Sequence, residues 1–312
     1  MGTTQSTEER MTLTGRILIT GGSGTLGNAI VRTALQEKWD ADFTIFSRSE
    51  LRQAQMRQSY GNLRYVLGDV RDYERLSAAV AGHDTVIHAA AMKRLPECDA
   101  QPVECYQTNV HGSINVLRAC QWSGVKRLIA ISTDKACAAS TAYGASKLMM
   151  ERAIVAPAQG VTQCTGVRYG NVVASNGSVV PIWRQQAKEG KPLTVTDPEM
   201  TRFWMAPSDA VKLIEYAATL DHGLIAIPKM GSLSIREMAD IVAPGAELVT
   251  VGLRFAEKKH EDLVAVDEFS TETATHYLIG KGKPGTRFTS YTTHRLAPNA
   301  FRSMLHEAET YQ

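Results

Sequence analysis

Two short stretches hold the side chains best suited to acid–base chemistry. In Ile129-Ala-Ile-Ser-Thr-Asp-Lys-Ala136 an apolar run ends in a polar tip. The tip offers a hydroxyl (Thr133), a carboxyl (Asp134) and an amine (Lys135). In Ala142-Tyr-Gly-Ala-Ser-Lys147, Tyr143 and Lys147 stand four apart at the opening of a predicted helix. That spacing puts both on one helix face. A tyrosine with the ordinary pKa of about 10 is a poor base. A cation beside it favours the phenolate and makes it usable. Thr133, Asp134, Lys135, Tyr143 and Lys147 are therefore the candidate catalytic set.

The elements that must position them are legible by pattern. Arg16-Ile-Leu-Ile-Thr20 reads as a buried parallel strand. It runs into Gly21-Gly-Ser-Gly-Thr-Leu-Gly27 and then a helical stretch. Gly21, Gly24 and Gly27, with Ser23, Thr25 and Leu26 between them, let backbone approach a pyrophosphate at a helix N-terminus. The next strand, Phe43–Phe46, ends in Ser47-Arg48-Ser-Glu-Leu-Arg52, where a carboxylate would bind an NAD ribose. Arg48 and Arg52 can pair with a 2′-phosphate instead, which favours NADP, or they simply open a solvated helix. After the strand at 63–67, Asp69 either accepts from an adenine amino group, with Val70 against the ring, or caps the next helix. Asp72 suits the cap better.

Thr85–Ala91 is a fourth strand whose small exit, Ala89, Ala90 and Ala91, leaves room for a flat ring or ribose. His88, inside that apolar run, reads as a core histidine. Residues 92–102 read as a polar loop rimming the site, and 103–124 as one helix. Asn109 is unfavourable inside a helix and is predicted to brace the tip at Ser132–Asp134. Strands at 125–131 and 162–168 complete the alternation. The fold class is α/β: a doubly wound parallel sheet over 13–170, with 206–228 packing back on it and a smaller substrate-binding lobe over 171–312. Met1–Thr12 reads as a disordered lead.

The 312 residues are 44% hydrophobic, enough for one large domain with an attached lobe. A formal net charge of +2 gives no strongly basic face, so no nucleic-acid partner is expected. No apolar run approaches the ~20 residues of a membrane span, and no signal-peptide core is present. Cys98, Cys105, Cys120, Cys137 and Cys164 show no metal-ligand spacing. They read as reduced thiols of a cytoplasmic protein.

On these residues the chain resembles an extended short-chain dehydrogenase/reductase (Rossmann fold). Within that superfamily it resembles the inverting UDP-N-acetylglucosamine 4,6-dehydratases. The carrying stretches are Thr20–Gly27, Ser47–Arg52, His88-Ala-Ala-Ala-Met-Lys93, Thr108-Asn-Val, Ser132-Thr-Asp-Lys135 and Tyr143–Lys147, followed by Gly170-Asn-Val172, Gly177-Ser-Val-Val-Pro181 and Met200-Thr-Arg-Phe203. Retaining dehydratases have Asp-Glu where this chain has Asp134-Lys135. Two stretches depart from the family pattern. Ser-Arg-Gly-Ser-Val appears as Ser175-Asn-Gly-Ser-Val179, and Arg-Pro-Gly-Glu-Lys as Arg254-Phe-Ala-Glu-Lys258.

The resemblance implies a lyase. Tyr143, assisted by Lys147, takes the C4 hydroxyl proton while hydride leaves C4 for a tightly bound, regenerated NADP. Lys135 removes the C5 proton, Asp134 protonates the departing C6 hydroxyl, and Thr133 hydrogen-bonds near C4. Hydride then returns to C6, and C5 is reprotonated on the opposite face. The resemblance adds Lys93, Thr108 and Val172 to the cofactor residues. Its implied substrate residues are Lys93, Thr133 and Asn171, then Ser178, Val179 and Val180, then Thr194, Thr196 and Arg202, and finally Arg254 and Glu257. It also implies a homo-oligomer and no metal. The alternatives are a UDP-sugar C4 epimerase, a related dehydratase, or a non-catalytic NADP-binding regulator.

Overall fold

The computed structural model describes residues 13–156, 160–173, 175 and 178–310. The lead read over Met1–Thr12 lies outside the described residues, as do Asn176 and Gly177. The first half runs β1 (Gly15–Thr20), α1 (Thr25–Gln36), β2 (Ala41–Ser47), α2 (Glu50–Ser59), β3 (Arg64–Leu67), α3 (Tyr73–Val80) and β4 (Thr85–His88). Then come α4 (Leu95–Ala100), α5 (Pro102–Tyr106), a π turn (Gln107–His111), α6 (Gly112–Trp122), β5 (Arg127–Ile131), α7 (Ala142–Ile154) and β6 (Gln163–Val167). The second half opens with β7 (Asn171–Val172), α8 (Val179–Lys188), β8 (Leu193–Val195), β9 (Thr201–Met205), α9 (Pro207–Ala217), β10 (Ile225–Pro228) and β11 (Ser232–Ser234). It ends with α10 (Ile235–Val242), β12 (Leu248–Thr250), β13 (Asp262–Val264), β14 (Ser270–Glu272), β15 (His276–Ile279), β16 (Phe288–Thr289) and α11 (Pro298–Glu309).

One sheet holds β14-β15-β10-β6-β5-β4-β1-β2-β3 in that order. From β3 to β10 the strands are parallel. Then β15 and β14 turn antiparallel at the edge. The parallel strands are apolar because helices cover both faces: Ile17, Leu18, Ile19, Ile87, Leu128 and Ile129 are wholly buried. The strand order reverses between β1 and β4. In open α/β sheets the crevice at such a point, past the carboxyl ends, is where ligands bind. The sheet also draws on the second half of the chain. The apolar β10 pairs with β6, and β15 with β14 closes the edge beyond it.

A second core lies in the lobe, where Val173, Trp183, Leu193, Trp204, Met238 and Phe301 pack together. Helix starts follow local chemistry. Asp72 accepts from the Arg75 N–H at the head of α3, and Thr141 from the Gly144 N–H at the head of α7. Ser234 and Glu237 form a reciprocal capping box on α10.

Three local readings need correction. The rim at 92–102 is not plain loop: Leu95–Ala100 is helical, with Pro96 in its first turn, where a missing N–H costs nothing. The helix over 103–124 is interrupted by the π turn, a device that re-aims side chains. Asn109, inside that turn, does not brace the tip. Its amide binds both the N–H and C=O of Met92 and the Ser146 hydroxyl, tying the segment after β4 to α7.

Candidate active site

The tip at the end of β5 is set against the first turn of α7 by a small residue. At Gly144 a Cβ would lie 2.2 Å from the Lys135 carbonyl oxygen. Only glycine permits that approach, and through it Tyr143 and the tip share one buried cluster. The Ser132 N–H donates to the Val167 carbonyl and the Asp134 N–H to the Tyr169 carbonyl, so the tip is held by β6 and its exit. Asp134 is wholly buried. Its Oδ1 accepts from the Thr133 hydroxyl at 2.8 Å and from Lys135 Nζ at 2.9 Å, while its Oδ2 has no hydrogen-bond partner. The Thr133 hydroxyl also hydrogen-bonds the Tyr143 phenol.

Burial, reinforced by the Asp134 charge, pushes the Tyr143 phenol well above the usual tyrosine range. Lys147 is buried, and that burial brings its ammonium down to about 8, against the opposing pull of Glu151. Here the pairing expected from the four-residue spacing is modified. The Lys147 amine donates to Met150 Sδ at 3.1 Å and faces Glu151 one turn on. The phenol's partner is Thr133.

Several groups at this site were not singled out by sequence. Glu261, just before β13, is 3% exposed and lies 3.7 Å from Lys135 Nζ. It sat inside a charge run, and nothing local marked it apart from its neighbours. Arg168, at the end of β6, is wholly buried between Glu151 of α7 and Glu268 of the loop before β14. Glu151 also accepts from the Ser132 hydroxyl, so this network braces the base of the tip.

A strap, residues 252–260, lies over the tip. Lys258 Nζ donates to the Cys137 carbonyl at 2.6 Å, and the Ser140 hydroxyl to the Ala256 carbonyl at 2.8 Å. Arg202 of β9 donates to the Lys258 and Lys259 carbonyls and pairs with Glu257 at 3.5 Å. Ala256, standing where the family pattern has glycine, adopts φ +59°. That left-handed conformation costs a non-glycine residue about 1–2 kcal/mol, so the strap is held closed against backbone strain. Arg254 is exposed, with its N–H bound to the Glu257 carboxylate.

The dinucleotide half is formed around the β1–β4 crevice. Gly24 is the N-cap of α1, with no side-chain cap, and a Cβ there would meet only the Gly21 carbonyl at 3.2 Å. The N–H groups of the first turn therefore face an open cradle suited to a diphosphate. The Ser23 hydroxyl donates to Ser47, and the buried Gln53 amide binds Ser47 and the Val66 carbonyl, fixing the end of β2 beside the loop. Thr108 Oγ1, in the π turn, is buried without a hydrogen-bond partner. Leu26, Ala89 and Val172 are partly buried against the main core. Lys93 is exposed near Arg52, and no ion pair engages either among the described residues.

Arg48, half-exposed, lies 3.6 Å from Asp69. Burial works to raise the Asp69 carboxyl, but hydrogen bonds from Arg71 and the Arg48 charge outweigh it and hold it below the ordinary range. Arg71, missed in the sequence, occupies both Asp69 oxygens and reaches Glu104 of α5. Val70 packs in the core beside α6. His88 is wholly buried between Thr20 and Ser113, and burial drives it down to about 3, so it is a neutral core histidine.

Within the lobe, Asn171 pairs in register with Trp204, and Ser178 heads α8 with a buried, unpartnered hydroxyl. Val179 lies in the first turn of α8. Val180 is wholly buried in the lobe core, Thr194 exchanges bonds with Gln186, and Thr196 binds Met200. These last three are engaged in the lobe's own packing. Among the described residues no cluster of histidine, cysteine and carboxylate side chains could hold a metal, and no helix is long and apolar enough to cross a membrane.

Comparison with known proteins places this geometry in context. The family of polysaccharide biosynthesis proteins matches residues 17–281. The chain is 44% identical over 273 residues to a protein of Campylobacter jejuni named UDP-N-acetylglucosamine 4,6-dehydratase (inverting), covering 84% of this chain and 82% of the relative. It is 41% identical over 268 residues to a protein of Rickettsia massiliae named UDP-glucose 4-epimerase, covering 81% and 79%. Among solved structures, Pen from Bacillus thuringiensis superposes with a TM-score of 0.87 at 31% identity, over 95% of this chain and 98% of Pen.

Proposed function

The chain belongs to the family of polysaccharide biosynthesis proteins, built on the extended short-chain dehydrogenase/reductase fold, and from that premise we propose that it is an inverting UDP-N-acetylglucosamine 4,6-dehydratase using NADP. The observation that carries the reading is the convergence of an amine, a carboxyl and a phenol, Lys135, Asp134 and Tyr143, in one buried cluster. A C4 redox step alone needs the phenol. Loss of water across C5 and C6 needs also a base and an acid on neighbouring atoms.

NADP, when bound, would supply a hydride acceptor for C4 and a hydride donor for C6. The protein does the rest. The phenol of Tyr143, steadied by Thr133, takes the C4 hydroxyl proton. The new ketone acidifies C5, and Lys135 removes that proton. Asp134 delivers a proton to the C6 oxygen, which leaves as water; once hydride has added to C6, the resulting enolate takes a proton at C5 on the opposite face, which inverts that carbon. Lys147 holds the nicotinamide ribose and the cradle at α1 holds the diphosphate of the cofactor. The open head of α8, with Ser178, and the basic residues Arg202 and Arg254 support a sugar-nucleotide diphosphate site across the crevice.

Incubation with UDP-N-acetylglucosamine tests the reading: the sugar should lose one water, read by mass spectrometry, with no net consumption of added cofactor. Unchanged substrate or a simple C4 epimer would reject it. The second reading, a UDP-sugar C4 epimerase, is favoured by the Rickettsia relative and predicts the epimer.

Arg48 supports NADP over NAD. Arg48→Ala should weaken NADP binding by about 10- to 100-fold, the value of one charge-assisted contact of about 1.5–3 kcal/mol, and change NAD binding little. Fluorescence titration of each cofactor reads this, and equal effects on both would remove the assignment. Five unpaired, buried cysteines support a cytoplasmic location.

A further inference from the structure

We propose that Glu261 is the positioning carboxylate of the Lys135 base, aiming the amine at the sugar and holding the negative charge opposite it while Asp134 carries the proton. The inference rests on the dehydratase reading above.

Lys135 Nζ lies between two buried carboxylates, 2.9 Å from Asp134 Oδ1 and 3.7 Å from Glu261 Oε1. On each carboxylate one oxygen, Asp134 Oδ2 and Glu261 Oε2, is buried without a hydrogen-bond partner. Glu261 is pinned by its backbone: its N–H donates to the Ser290 hydroxyl at 2.9 Å and its carbonyl accepts from the Ser290 N–H at 2.8 Å. Ser290 in turn bonds Thr201 of β9. The fold therefore fixes the backbone from which this carboxylate reaches Lys135 Nζ and Lys258 Nζ. The charged groups facing it are Asp134 and Lys135 from the tip, Arg202 from β9, and Lys258 from the strap at 3.8 Å.

The proton count explains why a second carboxylate is needed. At rest Asp134 is a carboxylate and Lys135 an ammonium. One proton moved across the 2.9 Å contact makes both catalytic forms at once, a neutral amine and a carboxylic acid. The amine takes the C5 proton, and the C–H electron pair becomes the enolate of the C4 ketone. That pair then forms the C5–C6 double bond as the C6–O bond breaks, and the departing oxygen takes the Asp134 proton to leave as water. Lys135 ends as ammonium and Asp134 as carboxylate, so the pair is restored without outside protons. During C5 deprotonation Asp134 is neutral, and the charge growing on Nζ has Glu261 as its counter-ion. Burial alone pulls the Lys135 ammonium down, but the charges of Asp134 and Glu261 outweigh it and raise it. Burial raises Glu261 itself, ahead of the lowering by Lys135.

The full chain carrying Glu261→Gln or Glu261→Asp, with UDP-N-acetylglucosamine as substrate, tests this. Glu261→Gln should lower kcat for water loss about 10- to 100-fold, less than removal of a general base itself, with KM little changed. C4 oxidation should persist, so the reduced-nicotinamide absorbance accumulates. The basic limb of the pH profile should move to lower pH, because one of the two charges raising Lys135 is gone. Glu261→Asp, which keeps the charge, should recover most of the rate and restore the limb. An unmoved limb with wild-type kcat in the glutamine variant would overturn the inference. So would equal loss of oxidation and elimination in both variants, which is the mark of a merely structural side chain. Wild-type protein that releases no water would instead overturn the dehydratase reading, and the inference with it.

Discussion

Lys135→Ala is expected to stop water loss while leaving C4 oxidation intact. General acid–base groups contribute about 10²–10⁴-fold, and Lys135 is the one amine within reach of Asp134 Oδ1 among the described residues. On the proposed mechanism its removal takes away the base for C5 and disturbs the acid for C6 together. Production of the 4-keto-6-deoxy sugar should fall by about 10³-fold or more. Addition of substrate should still give a reduced-nicotinamide signal, since Tyr143 and Lys147 remain.

The alanine variant also leaves Asp134 and Glu261 facing one another without their cation, and some thermal stability goes with it. Lys135→Arg separates the two effects. A guanidinium keeps the positive charge but does not deprotonate in proteins, so this variant should fold well and still fail to eliminate. Retained turnover in both variants would mean that no amine at position 135 is used, as expected of a C4 epimerase.

The second large effect concerns stability. Arg168 is wholly buried and makes five hydrogen bonds, two to Glu151, two to Glu268 and one to the Leu263 carbonyl. Arg168→Met leaves two carboxylates buried without a cation, which costs about 3–5 kcal/mol. In a chain of this length that lowers Tm by roughly 5–8 °C. Scanning calorimetry reads it. Adding Glu151→Gln and Glu268→Gln should return much of the loss, because neutral amides tolerate burial better than lone charges.

The pH dependence should change sign as well. In the native protein burial works to raise Glu268, but Arg168 outweighs it and the carboxyl sits below its ordinary value. That stabilisation is present above the unfolded pKa of about 4.3 and is lost as pH falls through the lower folded value. Without Arg168, burial raises the Glu268 carboxyl, so the variant should gain stability as pH drops towards about 5. A variant with unchanged Tm would show that the buried network contributes little.

The parts legible in the sequence share a local cause. The β1 glycine loop, the Thr-Asp-Lys tip and the Tyr143–Lys147 pair are contiguous, and their spacing is the signal. The Asp72 cap and the Ser234 cap are likewise decided within four residues. Glu261, Arg71 and Glu268 work through partners that fold topology brings near, and no periodicity marks them. The π turn depends on one extra residue per turn, which hydrophobic spacing does not resolve over so short a length. The C-terminal strands β14 and β15, at the antiparallel margin of the sheet, are illegible for another reason. They are short and part-polar, as antiparallel edges are, and they resemble loops.

The Arg168 network also dictates an order of events during synthesis. Glu151 precedes the arginine, but Glu268 follows it by 100 residues. At ribosomal speeds of about 5–20 residues per second, the nascent strand waits some ~5–20 s for its second anion. For the first part of that interval, until β10 arrives, the half-built sheet has its β6 edge open, and throughout it the buried guanidinium has only the two hydrogen bonds to Glu151 of its final five. The fold therefore locks late, on arrival of the segment that closes the sheet, and the nascent chain is most in need of chaperone protection just before it.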